Sequence, residues 1–292
     1  MAQESLQQAK DKLSELIENA KIGNIIPVSL PRQLEEIAAL MEAGEAEAEA
    51  APAHTGDAGD VDLQAEHAQF ISTAVHELRT PMTSIRGYTD MLNSGSMGDL
   101  NDMQKQFLDT IRTNARRMEG LLQDVSDISK INAGTLNITE KMDMFKNIVM
   151  TVEKDTTPMA EEMNKTLTFD IPQGLPLLNT DGDFFAKAIR KLVENALRYT
   201  GENGTVEVSA HGDGSDLVVT VKDNGIGMSE DEIGMLGTLY WRGDNDDVRA
   251  FKGSGLGIPI AFGIIEQLGG KIDIDSTPGE GTTFTVRLRG MT

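Results

Sequence analysis

The chain has 292 residues, 39% of them hydrophobic, and sets 26 Lys and Arg against 47 Asp and Glu for a formal charge of −21. That acidity argues against nucleic acid or an anionic membrane as the main partner, and the length suggests about two domains. With no cysteine there is neither a disulfide framework nor thiol chemistry, and no apolar run approaches the roughly 20 residues that span a bilayer, so a cytoplasmic chain without signal peptide or membrane segment is expected.

Residues 1–62 carry 4 basic and 13 acidic side chains, so much of the excess charge lies there. Leu6, Leu13, Leu16 and Ile17 predict a helix over 3–20, Ile25-Ile26-Pro27-Val28 breaks it, and Pro31 opens a second helix through Leu34, Ile37, Leu40 and Met41. The stretch from Ala51 to Asp60 reads as a flexible linker. This leader either docks a partner, extends a dimer, or is a solvated acidic helix; the residues do not choose among these.

From residue 63 the apolar side chains recur at helical spacing. Leu63, Phe70, Ala74, Leu78, Ile85 and Leu92 mark one amphipathic helix, and Met103, Phe107, Ile111, Met118, Leu122, Val125, Ile128 and Ile131 mark another. The polar stretch Asn93 to Asp99 between them suits an antiparallel helical hairpin over 63–133. A single hairpin exposes an apolar seam, so pairing with a second copy into a four-helix bundle is expected. The first helix carries His76-Glu77-Leu78-Arg79-Thr80-Pro81. His76 and Thr80, four apart, share a face. Pro81 cannot donate to the carbonyl of Glu77, so the helix should bend or loosen there. An exposed imidazole beside a carboxylate is a candidate nucleophile, with Glu77 the nearest acceptor for its second nitrogen. The plain alternative is a surface histidine followed by helix formers.

A connector over 133–141 leads to a helix at about 143–163, which Pro158 is expected to bend. The period then changes to two: 165–171, 205–210, 216–222, 271–275 and 283–289 alternate as strands, with helices at 181–199 and 255–268 between them. Such mixing gives a sheet with helices on one face, so 140–292 forms a second domain and the class is α+β. Asn195 lies between apolar helix neighbours, and its amide oxygen is a hard ligand suited to Mg²⁺, although a surface residue beside the core stripe fits equally. Asp223-Asn224-Gly225-Ile226-Gly227-Met228 ends a strand. A carboxylate there accepts from an exocyclic amine such as that of adenine and repels the carbonyl of guanine, while the glycines admit the base. Gly253-Ser254-Gly255-Leu256-Gly257 opens a helix whose N–H groups suit phosphate. Each glycine pair is also explained by a tight turn, and neither spells a Walker or dinucleotide loop. The intervening segment, rich in Gly and Asp, reads as a lid over nucleotide.

Taken in order, His-Glu-Leu-Arg-Thr-Pro, Glu-Asn-Ala-Leu-Arg-Tyr-Thr, Asp-Asn-Gly-Ile-Gly-Met, Tyr-Trp-Arg-Gly-Asp, Gly-Ser-Gly-Leu-Gly-Ile and Gly-Glu-Gly-Thr resemble the motifs of bacterial two-component sensor histidine kinases, over about 63–292. The resemblance implies a dimeric phosphotransfer hairpin followed by an α/β sandwich ATP-binding domain with a mixed sheet. It also implies a homodimer and a response regulator with a receiver domain as partners, and ATP and Mg²⁺ as ligands. By the same resemblance His76 is the phosphoacceptor, Glu77 the base that orients it, and Thr80 the residue that positions water when the regulator is dephosphorylated. Asn195 holds the metal, Tyr199 lines the adenine and Asp223 reads it. Gly225, Gly227, Gly253, Gly255, Leu256, Gly257 and Thr282 shape the nucleotide site, and Arg198 and Arg242 neutralise phosphates. The ATP-binding domain is expected to move to reach His76.

One position departs from the pattern. Lys191 stands where many members carry a second asparagine, and either contacts phosphate or weakens metal binding. Related ATP hydrolases place a water-activating glutamate there, a task lysine cannot perform, which disfavours hydrolysis as the main reaction. A degenerate kinase-like scaffold that binds a regulator without catalysis is the other alternative; the intact Asp223, Asn195 and glycine loops speak against it.

Overall fold

The computed structural model describes residues 59–243, 248 and 253–291, together with Gln8, Asp11, Lys12, Glu15 and Glu36. The predicted leader helices and linker lie outside these residues, except that those five are helical and Lys12 pairs with Glu36 at 2.9 Å. The chain divides into two compact units, Met1–Ala133 and Gly134–Thr292.

In the first unit, α1 (Gly59–Asn93) and α2 (Asp102–Asn132) form the hairpin. Asn101 caps α2 by accepting from the Gln104 N–H, while the Gln104 side chain accepts from the Asn101 N–H in return, closing both orphan donors. Ala74, Val75, Leu78 and Met82 of α1 are buried, as are Ala115, Met118, Leu122 and Ile128 of α2. Cross-helix bonds fix the register: Arg79 to Gln123 and Arg86 to Glu119, each at 2.7 Å, and Asn93 to Asp109 at 3.2 Å. The helix runs through Pro81 without ending. Toward the loop the apolar stripe loses its cover, and Tyr88, Met103 and Phe107 are 67%, 64% and 58% exposed.

The second unit runs β1 (Lys141–Met144), α3 (Phe145–Glu162), β2 (Thr166–Asp170), β3 (Leu177–Thr180), α4 (Gly182–Tyr199), β4 (Thr205–Asp213), β5 (Asp216–Asp223), α5 (Glu230–Met235), α6 (Gly257–Gln267), β6 (Lys271–Thr277) and β7 (Gly281–Arg289). The main sheet has the order β2-β4-β5-β7-β6 and is mixed: β2 lies parallel to β4, and the other pairs are antiparallel. Alternate residues Val206 and Val208, Leu217, Val219 and Val221, and Phe284, Val286 and Leu288 are buried, giving the sheet one apolar face. The buried stripe of α4 (Phe185, Ile189, Leu192, Val193, Ala196, Leu197) packs among α3, α6 and the sheet, with Phe145 and Phe185 rings 5.7 Å apart. Asp181 caps α4 through Phe184 N–H and also accepts from Thr139 N–H at 2.8 Å.

The short strands β1 and β3 pair with each other and were not expected from the sequence; four residues each, mostly exposed in β1, leave too little alternation to read. The segment after Gly227, expected as an irregular lid, contains α5, opened by the capping box of Ser229 and Glu232. Pro158 sits inside α3, which continues to Glu162. Among the described residues no helix is long and apolar enough to cross a membrane.

Candidate functional site: an exposed imidazole and a glycine-framed pocket

On α1 the buried positions 74, 75, 78 and 82 leave His76, Glu77 and Thr80 on the exposed strip. The imidazole therefore stands in water, open to a reactant. The Thr80 hydroxyl donates to the His76 carbonyl at 3.3 Å, and Ser84 donates to the Thr80 carbonyl at 3.2 Å. No hydrogen bond joins the Glu77 carboxylate to the His76 ring among the described residues; adjacent helical positions diverge by about a quarter-turn.

In the second unit the centre is Asp223, at the end of β5. Its Oδ1 accepts two backbone amides, Gly225 N–H at 2.8 Å and Thr282 N–H at 3.2 Å. Oδ2 has no partner among the described residues and is left to accept from a ligand. Burial pushes the carboxyl above its ordinary range, and the two amides oppose that rise. The glycines around it are close approaches of backbone to backbone. A Cβ on Gly225 would lie 2.4 Å from the Tyr199 carbonyl oxygen, and one on Gly227, where φ is +62°, would lie 1.9 Å from that of Thr277. Ile226 N–H donates to the Tyr199 carbonyl at 3.1 Å, and Gly279 N–H donates to the Ile226 carbonyl at 2.7 Å. The glycine turn is thus pinned between the end of α4 and the β6–β7 turn. Asn224, whose side chain accepts from Thr205 N–H, and Ser276, which accepts from Met228 N–H and bonds Thr282 Oγ1, complete this frame. Sequence reasoning missed both, because their partners are distant in the chain.

Lys191, Asn195 and Arg198 occupy one face of α4, each half-buried. That face meets the glycine opening of α6. A Cβ on Gly253 would lie 3.8 Å from Arg198 Nη1 and 4.0 Å from Arg242 Nε, and one on Gly257 would lie 3.9 Å from Lys191 Cδ. Gly255, at φ +72°, backs onto Tyr240, itself at φ +60°. Leu256 is buried at the start of α6 and caps it without a side-chain hydrogen bond; Pro259 in the first turn has no N–H. The amides of Gly257 and Ile258, in the first turn of α6, have no intrahelical acceptor, and a helix start of this kind suits an anion. Arg242 donates to the Val248 carbonyl at 2.7 Å. The expected residues of the second unit are thus framed together, and Lys165, unforeseen, ties down the end of α4 by donating to the Leu197 and Thr200 carbonyls. Asp244, Asp246 and Asp247 lie outside the described residues.

Among the described residues no group of three or more His, Cys, Asp and Glu could hold a metal ion. The Asn195 side chain makes no hydrogen bond among them, so its amide oxygen is available. A single protein oxygen fits Mg²⁺, which keeps waters and takes phosphate oxygens for the rest of its shell.

Comparison with known proteins places this geometry. Residues 66–134 match the His Kinase A (phospho-acceptor) domain, and 180–291 match the histidine kinase-, DNA gyrase B-, and HSP90-like ATPase domain. A sensor-like histidine kinase of Rhizobium meliloti is 31% identical over 91% of this chain and 49% of its own length. Histidine protein kinase DivJ of Caulobacter vibrioides is 30% identical over 80% of this chain and 40% of its own. The chain thus spans about half, or less, of these relatives. The crystal structure of ShkA in complex with AMPPNP shares the fold with a TM-score of 0.65 at 21% identity, over 77% of this chain and 46% of that one. With both domains present in this order, the chain belongs to the bacterial two-component sensor histidine kinases.

Proposed function

We propose that the chain is an ATP-dependent protein histidine kinase acting as a homodimer in the cytoplasm, with 63–133 as phosphoacceptor domain, 140–292 as ATP-binding domain and 1–62 as an acidic leader. The observation that carries this reading is Asp223: a buried carboxylate with one oxygen saturated by backbone and the other left for the exocyclic amine of adenine. Tyr199 and the glycines 225 and 227 border the base. Arg198, Arg242 and the amides opening α6 face the phosphates, and Thr282 holds Asp223 in place. Bound Mg²⁺, through Asn195, would neutralise and orient the phosphate tail.

A ring nitrogen of neutral His76 attacks the γ-phosphorus in line; the bond from that phosphorus to the bridging oxygen breaks and ADP leaves. The proton on the other ring nitrogen passes to Glu77 and on to water. The phosphoryl group then moves to an aspartate of a response regulator, and Thr80 positions water when the regulator is dephosphorylated. The uncovered Tyr88, Met103 and Phe107 support a dimer, since a second hairpin would bury them. Neither nucleic acid nor a membrane segment is part of this reading.

Incubation of the full chain with Mg²⁺ and γ-labelled ATP should give an acid-labile, base-stable label on His76, and His76→Ala should abolish it. Equal labelling of the variant would sink the assignment.

A further inference from the structure

We propose that Ser276 holds the Thr282 hydroxyl as a hydrogen-bond acceptor, so that Thr282 and Asp223 present a two-acceptor edge that selects a 6-amino purine over a 6-oxo purine. The inference rests on the ATP-binding reading above and assigns a positioning residue to that same site. β5, β7 and β6 are neighbours in the sheet, whose register sets Ser276 opposite Thr282 and Lys222 opposite Thr283. Asp223 therefore lies beside Thr282, and the Thr282 N–H donates to its Oδ1 at 3.2 Å. Both side chains stand on the sheet face that buries Val221 and Phe284, and both are themselves buried. Asp223, Thr282 and Ser276 thus form a polar row across three strands, where that apolar face ends.

The direction of the hydrogen bonds along this row follows from counting protons. A serine hydroxyl has one proton to donate and two lone pairs with which to accept. Ser276 Oγ donates to the Gly281 carbonyl at 3.0 Å and accepts from Met228 N–H at 2.9 Å. Its third contact, 2.8 Å to Thr282 Oγ1, is completed together with these two only when Thr282 is the donor. The Thr282 proton is then committed, and its oxygen offers lone pairs alone. Beside it, Asp223 Oδ1 is saturated by the Gly225 and Thr282 amides and Oδ2 is left to accept. Two adjacent acceptors suit an amino group, which brings two N–H bonds, and repel a carbonyl oxygen, which brings none. Without the Ser276 hydroxyl, Thr282 is free to turn its proton toward a carbonyl.

The test is binding of ATP and of ITP, its 6-oxo counterpart, to the full chain by calorimetry with Mg²⁺. The proteins are wild type, Ser276→Ala, Ser276→Thr, Thr282→Val and the variant carrying both Ser276→Ala and Thr282→Val. Wild type should prefer ATP by about a hundredfold or more, and Ser276→Ala should cut that preference roughly tenfold. Ser276→Thr, which keeps the hydroxyl, should restore it. With Thr282→Val already present, Ser276→Ala should leave the ratio of affinities where it is. A merely structural Ser276 would weaken both nucleotides alike. An unchanged ratio in Ser276→Ala, or the same change with and without Thr282, therefore overturns this inference while the ATP reading stands. If Ser276→Ala unfolds below the assay temperature, Thr282→Val decides alone: it deletes one of the two acceptors, and an unchanged ratio overturns the inference. If wild type binds ATP and ITP alike, or binds neither at millimolar concentration, the reading of Asp223 as the adenine-selecting group fails and takes this inference with it.

Discussion

The hairpin keeps His76, Glu77 and Thr80 within two turns of one helix, whereas the sheet unit gathers Asp223, Thr282, Arg198, Arg242 and Gly257 from across its length. Their cores differ in the same sense. Phe145, Phe185 and Phe284 are at most 1% exposed in the sheet unit, while Tyr88 and Phe107 of the hairpin are more than half exposed. A site assembled from distant segments needs a finished core to hold its distances. A nucleophile on a single helix needs only the helix, and the hairpin can leave its apolar seam for another surface.

Truncating one aromatic in each unit tests this contrast most strongly. Phe284→Ala on the central part of β7 should remove about 3–5 kcal/mol from the urea unfolding of the sheet unit. Trp241, the single tryptophan, reports that transition by fluorescence. Phe107→Ala should change it by less than about 0.5 kcal/mol, as for other surface positions, and should instead lower the mass seen in sedimentation at equal concentration. A large loss of tryptophan-reported stability in Phe107→Ala would break the contrast.

A smaller effect comes from Asp223→Asn. The amide oxygen can still accept from Gly225 and Thr282, but its NH₂ opposes the adenine amine, and ATP affinity should fall roughly tenfold to a hundredfold. Stability should move the other way. Burial raises the Asp223 pKa, so the stability tied to its protonation is complete below the ordinary carboxylate range and is lost as pH rises through the raised value. The asparagine variant should therefore gain on wild type at neutral pH and lose that gain in acid, measured by urea titration at a series of pH values.

The motifs around His76, Asp223 and Gly253 were legible because each is contiguous, and the helices and the main strands followed from period. What stayed hidden was held by contacts the sequence does not place side by side. Thr282 was foreseen as part of the nucleotide site, but not that its N–H reaches Asp223 across 59 positions. Ser276 anchors Met228 across 48. The pair of Lys191 with Gly257 depends on how α4 meets α6. The strands β1 and β3 are too short and too exposed to alternate visibly, and α5 is specified by its capping box rather than by apolar period. Pro81 and Pro158 each remove one hydrogen bond, yet both lie inside their helices, and packing on a buried face, at Met82 and Ala160, helps carry the helix past them.

Lys165 offers the finest test of how the sheet unit holds its site. It precedes β2 yet donates to the Leu197 and Thr200 carbonyls, closing the end of the helix that carries Arg198 and Tyr199. Lys165→Met should cost about 1 kcal/mol at neutral pH and weaken nucleotide binding without changing the hairpin. Desolvation lowers its pKa, so the stability tied to its neutral form is present above the ordinary lysine value and is lost as pH falls through the lowered one. A neutral amine keeps two N–H groups, enough for both carbonyls. The gap between wild type and Lys165→Met in urea titrations should therefore widen as pH rises toward the ordinary lysine range. A narrowing gap would mean that the positive charge at the helix end, rather than the two donated hydrogen bonds, is what secures α4.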